Sequence, residues 1–535
     1  MPDESFDFII AGAGSAGCVL ANRLSANGCH RVALLEAGPR DTSFWIHLPI
    51  GYGKTMWDPR LNWRFYTEPE PNLEGRQIYW PRGRVLGGSS AINGLIVVRG
   101  QSQDYDRWRD LGNPGWGWDD VLPYFIKLES NSEFDEDQLH GTAGPLRVTG
   151  IGRRHELVEA FIAAAESCGV PRTADFNGAT QEGAGYYQLT TRNGWRVSAA
   201  DAYLREAKRR NNLEIFTGAH VARVIVENRR ATGVVCRIGT QLRELHAKRG
   251  VILAAGAVQS PQLLMLSGIG PSEHLRAYGI PVVIDRPAVG RNLQDHLQVR
   301  LIYRCTKPIT TNDALRSIGG RVGMAVEWLL RRSGPLAIGI NQGGLFTRVL
   351  PESQTPDIQF HVATLSADMA GGKVHEFSGF TLSVCQLRPE STGSITLASA
   401  DPFTAPKIHA NYLATEADQH CTTAAIAFAR RLAATAPLSG YVAEEILPGS
   451  KYCGDADLLA FARKHGVTIF HPSGTCRMGR DGDAVVDPRL RVRGVEALWV
   501  ADCSIMPRLI SGNTNVPAMM IGEKAADMIC ADSRK

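Results

Sequence analysis

The N-terminal segment has the apolar pattern of a buried strand that runs into a glycine-rich turn and then into a helix. Residues 6–11 are almost entirely apolar, Gly12, Gly14 and Gly17 follow them, and a helix-like stretch continues past Leu24. This order of strand, tight turn and helix predicts a βαβ unit that binds a dinucleotide.

Glycine is needed at each of the three positions for a different physical reason. Gly12 permits the turn, Gly14 removes a side chain that would block a pyrophosphate, and Gly17 lets the helix approach the strand. The helix begins near Ser15 and Ala16, where unpaired backbone N–H groups can face phosphate. We therefore predict that these five residues form one side of a cofactor site.

A second apolar run, RVALLEAG, ends at Glu36 and Ala37. Its distance from the glycine turn suits a carboxylate that accepts hydrogen bonds from the ribose of an adenosine. A carboxylate at this point would repel the 2′-phosphate of NADP, and no arginine replaces it. The pattern therefore favours FAD or NAD.

The remaining pattern predicts two further groups of strands. Val and Ile alternate on both sides of residues 228–230, which is typical of an antiparallel hairpin. After His296, the strand-like runs IQFHVATL, SGFTLSVCQL and STGSITLAS alternate with helix-like runs such as VGMAVEWLLRR and CTTAAIAFARRLAATA. We expect the three runs to form a mostly antiparallel sheet in a second domain.

Length, charge and cysteine usage narrow the class of protein. A chain of 535 residues with 55 glycines and 44% apolar residues suits a two-domain α/β enzyme. A net charge of +4 predicts no nucleic-acid partner. The eleven cysteines are scattered without a CxxC pair, which predicts reduced thiols rather than disulfides. His471, Cys476 and His465 lack the spacing of a metal site, so we expect no metal.

The ordered motifs of the chain resemble those of the glucose-methanol-choline oxidoreductases. The motifs are GRVLGGSSAINGLIVVRG at residues 83–100, GAVQSPQLLMLSGIG at 256–270, VGRNLQDH, FHPSGTCRMG and VADCSIMP, and they span nearly the whole length. The resemblance implies an α/β protein with a Rossmann-like FAD-binding domain. It also implies a second, α+β substrate-binding domain built on a mostly antiparallel sheet.

The domains are expected to be discontinuous. The FAD-binding domain would comprise residues 1–160, 190–298 and 469–535, and the substrate-binding domain residues 161–189 and 299–468.

The resemblance also assigns cofactor contacts. Val221 would lie against the adenine, and Asp502 would approach the ribityl and phosphate region. Some members link FAD covalently through a histidine just before Asn93, but Ile92 stands there, so we expect non-covalent FAD. The further contacts implied are Arg84, Gly87, Gly88, Ser89, Asn93, Gly94 and Asn515.

The implied reaction is oxidation of a primary alcohol to an aldehyde, with hydride passing to flavin N5. His471 would be the base, because its ordinary pKa lies close to working pH and residues 472–474 set a rigid loop. Asn513 would orient the substrate oxygen through an amide that stays uncharged at every pH.

Two positions bear on the substrate. Choline-oxidising members carry a glutamate at the position that corresponds to Gln342 in the stretch GPLAIGINQGGLF. An amide there exerts no Coulombic attraction on a quaternary cation. Val97 replaces an aromatic residue or alanine of the family and would shape the pocket floor. These residues favour a neutral alcohol, which could be aliphatic, a polyether such as polyethylene glycol, aromatic, or a sugar such as sorbose.

The sequence leaves several alternatives open. We favour a dehydrogenase that passes electrons to a quinone or cytochrome, over an oxidase that uses dioxygen, a choline dehydrogenase, or a hydroxynitrile lyase on the same fold. The acidic N-terminus MPDESFDFII is unlike a signal peptide, so we expect a cytoplasmic protein. Gln259, Pro261 and Gln262 interrupt the longest apolar stretch, which therefore predicts no membrane span. Peripheral attachment to the inner membrane stays open.

Overall fold

The computed structural model describes residues 5–369 and 371–532. Two seven-stranded sheets organise the chain, and each is the centre of a large hydrophobic cluster. The predicted α/β class is confirmed: the first sheet is the Rossmann-like one and the second is antiparallel.

The first sheet joins distant parts of the chain. Its central strand, Ser5–Ala11, pairs in parallel with Val32–Glu36 on one side and with Gln241–Leu253 on the other. Because the carboxyl ends of these strands meet at one edge, the glycine turn and Glu36 both lie there. The other strands of this sheet are Leu213–Thr217, Ala219–Glu227, Arg230–Ile238 and Leu498–Val500.

The predicted hairpin around residues 228–230 is confirmed. Ala219–Glu227 and Arg230–Ile238 pair antiparallel. Asn228 and Arg229 between them adopt left-handed φ angles of 49° and 61°, which is the backbone that a tight two-residue hairpin turn requires.

The second sheet is antiparallel throughout its main path. Its strands, in spatial order, are Val442–Leu447, Leu297–Cys305, Gly379–Gln386, Ile358–Ala363, Asn341–Thr347 and Gly183–Tyr186, and Val467–Thr468 pairs with the second of them.

Two of the three strand-like runs predicted for this sheet belong to it, and the third does not. STGSITLAS forms the strand Gly393–Thr396, which pairs with Arg291–Leu293 and Lys407–His409 in a separate three-stranded sheet. An alternating pattern specifies that one face of a strand is buried, but it does not specify the partner strand.

Helices cover both sheets. Ser15–Leu24 packs along Asn515–Asp532, and buried Glu523 of the C-terminal helix pairs with Arg23 at 2.7 Å. Among the described residues, no helix has the length and apolar content of a membrane-spanning segment. The other α-helices are Phe44–His47, Tyr52–Thr55, Ser102–Asp110, Trp118–Leu128, Glu156–Ser167, Arg205–Ala207, Gly256–Leu266, Ser272–Ala277, Thr311–Arg316, Ile318–Arg331, Glu416–Ala434 and Asp455–His465.

Short strands complete the regular structure. They form two-stranded pairings that fix loops around the two sheets, and they are Phe65–Tyr66 with Tyr79–Trp80, Glu129–Asn131 with Leu146–Val148, Thr191–Arg192 with Trp195–Arg196, and Ile269–Gly270 with Ile284–Asp285.

The helix Glu156–Ser167 bears on where the chain divides into domains. Its buried residues, among them Leu157 and Phe161, all pack in the hydrophobic cluster of the second sheet. A boundary at residue 160 falls inside this helix, so the packing favours a division before Glu156.

The close approach at Gly17 generates a test. A Cβ atom added there would stand 1.8 Å from the carbonyl oxygen of Gly12, so helix and strand would have to separate. We expect Gly17→Ala to lower the free energy of unfolding by about 2–3 kcal/mol and to reduce the FAD:protein ratio of the purified enzyme. Gly152→Ala is the matched control, because nothing lies within 4 Å of its added Cβ. Equal flavin content in the two variants would contradict the assignment of the turn at Gly17 to the cofactor site.

Candidate active site

One cavity of about 700 Å³ lies between the two sheets. The carboxyl-end edge of the first sheet forms one wall, through residues such as Glu36 and Ala254. The second sheet forms another, through His361, Thr381 and Ser383. The cavity therefore connects a nucleotide-binding edge with the face of the antiparallel sheet.

The glycine turn packs directly against neighbouring backbone, and the absence of side chains there leaves room for a ligand. Gly12 has a φ of +105°, and a Cβ there would stand 2.6 Å from the carbonyl oxygen of Ala254. A Cβ on Gly88 would stand 2.6 Å from the Cα of Gly14. Of the predicted contacts in this region, Gly12, Gly14, Ser15, Ala16, Gly88 and Ser89 line the cavity, whereas Gly17 and Gly87 are not among its lining residues.

Glu36 holds the turn and faces the cavity. Its carboxylate accepts hydrogen bonds from the backbone N–H groups of Ala13 (3.1 Å) and Gly38 (2.9 Å). Burial raises the pKa of Glu36 to about 7, against the lowering effect of these bonds. Two oxygens carry about four lone pairs, so acceptor capacity remains for ribose hydroxyls. Ala37 lines the cavity next to it.

The C-terminal helix closes the turn from the other end of the chain. Asn515, at the start of that helix, accepts a hydrogen bond of 2.8 Å from the Ser15 hydroxyl, 500 residues away. Asp502 accepts hydrogen bonds from the backbone N–H of Gly256 (2.8 Å) and from the Ser260 hydroxyl (2.6 Å). Asn93, Gly94, Val221, Asp502 and Asn515 all line the cavity as predicted.

Arg84 is placed differently from the prediction. It does not line the cavity, and its guanidinium lies 4.9 Å over the ring of Trp63, which does. The residue shapes the wall from behind through that ring.

The residues present fit a flavin dinucleotide. Glycine backbone with space above it suits a pyrophosphate, Glu36 suits the adenosine ribose, and the apolar Val221 suits the adenine. The cavity continues from this end to His471 and Asn513, which line it as well.

The loop that carries His471 is fixed from several sides. The His471 N–H donates to the carboxylate of Asp295 at 2.7 Å, and the preceding carbonyl of Phe470 accepts from half-buried Arg82 at 2.8 Å. Ser473 and Gln294 exchange backbone hydrogen bonds of 2.9 and 3.1 Å. These contacts join the motif FHPSGTCRMG to VGRNLQDH and hold the imidazole in one place.

A series of hydrogen bonds sets the tautomer of His471. The carbonyl of Leu387 can only accept, so Nε2 of His296, 2.9 Å away, must carry a proton. Burial lowers the pKa of His296 to about 4, which leaves it neutral with a lone pair on Nδ1. That atom lies 2.9 Å from Nδ1 of His471. Nδ1 of His471 is therefore the donor, and its Nε2 carries the lone pair.

The Nε2 lone pair of His471 faces Asn513. The Asn513 amide nitrogen donates to it at 3.2 Å, while the amide oxygen accepts from Gln359 at 3.0 Å. Burial, together with His296, His361 and Arg82, holds the pKa of His471 well below its usual value. A neutral base and an oriented amide donor thus share one point at the cavity wall.

Three residues at this point were not assigned by sequence reasoning. His296 ends a motif that was recognised, but its role depends on the distant Leu387 carbonyl. Gln359 and His361 lie on the strand Ile358–Ala363, where the sequence shows only an alternating strand pattern. His361 lines the cavity, and its Nδ1 atom is buried without a hydrogen-bond partner.

The two predicted pocket residues lie elsewhere. Val97 is 2% exposed within the cluster of the first sheet and is not among the lining residues. Gln342 is buried and donates to Thr364 at 3.2 Å, while its neighbour Asn341 lines the cavity. Neighbouring residues of a strand face opposite sides, so Asn341 faces the cavity and Gln342 does not.

The charges along the cavity are unevenly distributed. Among the lining residues, the carboxylates are Glu36 and Asp502, both at the cofactor end. The cations include Lys54, Arg300 and Arg321, which come from segments remote in sequence from the glycine turn. Burial lowers the pKa of Arg300.

Comparisons with known proteins find relatives that match nearly the whole chain. Family models for GMC oxidoreductase match residues 6–298 and 389–522. The chain is 42% identical over 527 residues to an "Alcohol dehydrogenase [acceptor]" of Pseudomonas putida, covering 98% of this chain and 95% of the relative. It is also 42% identical to the mitochondrial choline dehydrogenase of Homo sapiens, covering 98% and 90%. The pyridoxine 4-oxidase structure from "Mesorbium loti" is 32% identical, with a TM-score of 0.88 over 97% of this chain and 98% of that one.

Replacing His296 tests the tautomer. Phenylalanine cannot accept a hydrogen bond from Nδ1 of His471. His296→Phe should therefore slow flavin reduction by about 10²-fold, within the range for general base catalysis, while FAD stays bound. His296→Gln supplies an amide oxygen that can accept, and it should recover part of the rate. Anaerobic stopped-flow absorbance measures both. Equal rates in the two variants would contradict a positioning role for His296.

Proposed function

Because the chain belongs to the GMC oxidoreductase family and is an FAD-dependent enzyme acting on alcohols, we propose that it oxidises a neutral primary alcohol to an aldehyde. We further propose that the electrons pass to a quinone or cytochrome-type acceptor. The observation that carries the first proposal is the neutral His471, whose Nε2 lone pair faces the amide nitrogen of Asn513 in the cavity wall.

His471 and Asn513 would both contact the substrate oxygen, each in a different role. The alcohol hydroxyl would lie between them, donating its proton to Nε2 of His471 and accepting from the Asn513 amide. FAD, when bound, supplies the two-electron acceptor for the hydrogen on the alcohol carbon. Gln359 keeps the amide oxygen occupied, so the amide nitrogen stays turned toward the substrate.

Burial sets the protonation state of the base. Because the pKa of His471 lies well below its usual value, the ring is uncharged throughout the neutral range. The Nδ1 proton stays engaged with His296, so Nε2 is the nitrogen that can accept a substrate proton. His471 is 6% exposed, which limits competition from water.

The charges of the cavity support a neutral substrate. No carboxylate lines the cavity in the described residues apart from Glu36 and Asp502. A quaternary ammonium group would therefore meet Arg300 without a compensating anion, and like charges repel. Ile340, Leu336 and Leu365 add apolar surface to the same wall. Aliphatic, polyether, aromatic and sugar alcohols remain the candidates.

The mode of flavin attachment and the acceptor are also proposals. Ile92 lines the cavity where a covalent histidine link would need an imidazole, which supports non-covalent FAD. Relatives named for an unspecified acceptor and for oxygen dependence are equally similar to this chain, both 42% identical. Oxygen uptake therefore decides between the proposed quinone or cytochrome and dioxygen.

Removal of the base tests the mechanism. His471→Ala should keep FAD and lose flavin reduction by about 10²–10⁴-fold, because the cofactor end of the cavity is untouched. His465→Ala is the control, since this histidine lies outside the cavity lining and should leave the rate unchanged. Anaerobic bleaching of the flavin absorbance reports the rate. Full activity in His471→Ala would overturn the assignment.

A substrate panel tests the class of alcohol. We expect flavin reduction to be faster with a long aliphatic alcohol, polyethylene glycol, an aromatic alcohol or sorbose than with choline. Arg300→Leu removes the cation and should raise the relative rate with choline by about tenfold, equivalent to about 1.4 kcal/mol. If wild-type enzyme prefers choline, the neutral-substrate proposal fails. Oxygen uptake with hydrogen peroxide formation would instead overturn the proposed acceptor.

A further inference from the structure

The helix Ile318–Arg331, here called the entrance helix, exposes an apolar stripe. Five of the eleven large apolar side chains that are exposed in the described residues belong to it. They are Ile318, Val322, Val326, Leu329 and Leu330, with exposed fractions of 76%, 56%, 46%, 59% and 79%.

The spacing of these residues places them together. At 3.6 residues per turn they fall within about 120° of the helix circumference. Met324 and Trp328, the two residues of this helix that are fully buried, fall on the opposite side. The helix is thus anchored by one face and presents a continuous aliphatic face outward.

The stripe continues into other exposed apolar groups. Phe44, 51% exposed, packs edge-on against Trp328 with ring centroids 6.3 Å apart. Its neighbour Trp45 and the loop residue Met369 are also exposed, and both line the cavity. The entrance helix itself contributes Arg321 and Met324 to the cavity lining. The apolar surface therefore adjoins exposed residues that line the cavity.

The exposed charges around the stripe are mainly positive. Arg316, Arg321, Arg331 and Arg332 are all exposed on or beside the entrance helix. Its single acid, Glu327, is paired with Arg153 at 3.2 Å. On the adjoining loop, Asp368 pairs with His375 at 3.0 Å and Glu376 with Lys373 at 3.3 Å. Exposed cationic side chains therefore outnumber exposed carboxylates next to the aliphatic face.

We propose that this face docks on the surface of a bilayer containing anionic lipid. An amphipathic helix with aliphatic residues on one side and arginines along its borders lies in the interface with its apolar face among the acyl chains. Each arginine near an anionic leaflet adds attraction that depends on salt. Docking requires no spanning segment, because the protein attaches through one face of one helix.

Docking would place the cavity entrance against the bilayer. Amphiphilic alcohols and quinones concentrate there, so both could reach the cavity without crossing water. This consequence rests on the proposed function, whereas the binding of lipid rests only on the exposed stripe and its arginines.

Vesicle co-sedimentation of the full-length, FAD-loaded enzyme tests the proposal. The vesicles are phosphatidylcholine alone and phosphatidylcholine mixed with phosphatidylglycerol. We expect binding to the mixed vesicles that weakens as salt is raised. Combined Ile318→Ser, Leu329→Ser and Leu330→Ser should reduce this binding at least tenfold, and combined Arg316→Gln and Arg331→Gln should reduce it on mixed vesicles alone.

Leu242→Ser is the matched control, because Leu242 is 63% exposed on a strand of the first sheet. It should bind like the wild type. None of the substituted residues lines the cavity, so flavin content and flavin reduction by a water-soluble alcohol should be unchanged in every variant, which separates failure of docking from failure of catalysis. Binding to neither vesicle, or equal binding by the serine variant, would overturn the proposal. So would a wild-type dimer in sedimentation velocity that the serine variant abolishes while vesicle binding persists.

Discussion

The carbonyl oxygen of Leu387 is the fixed point on which the active site depends. It cannot donate, so it determines which nitrogen of His296 is protonated, and His296 in turn determines which nitrogen of His471 is free. Burial reinforces the series because it keeps both rings neutral. The Leu387 carbonyl therefore determines, through the two imidazoles, that the lone pair of His471 faces the cavity.

The second constraint is the contact between the two ends of the chain. The glycine turn lies against Ala254 and Gly88, and its helix packs on the C-terminal helix, where Asn515 accepts from Ser15. Asn513 lies two residues before the start of that helix at Asn515. The position of the substrate-orienting amide is consequently tied to the cofactor end of the cavity. An error in the fit of the glycine turn would displace the amide as well as the cofactor.

The sequence predicted those features that depend on local pattern or on a recognised motif. The strand, turn and helix around Gly12, the hairpin at residues 228–230 and the cavity positions of His471 and Asn513 all belong to this class. The sequence placed Gln342 in the pocket, whereas its neighbour Asn341 lines the cavity. A shift of one residue along a strand exchanges the cavity side for the core side. His296 and Gln359 were missed because their roles arise from hydrogen bonds to partners distant in sequence. The apolar face of the entrance helix was hidden, since a sequence pattern shows that a helix is amphipathic but does not show that nothing covers it.

The central claim is that His471 is a neutral ring with its proton on Nδ1 and its lone pair on Nε2. Nitrogen NMR of enzyme labelled with ¹⁵N-histidine distinguishes protonated from unprotonated ring nitrogens, and His471→Ala assigns the signal. We expect a protonated Nδ1 and an unprotonated Nε2 at neutral pH, persisting well below pH 6.5, the usual pKa of histidine. A doubly protonated ring at neutral pH, or a proton on Nε2, would contradict this tautomer.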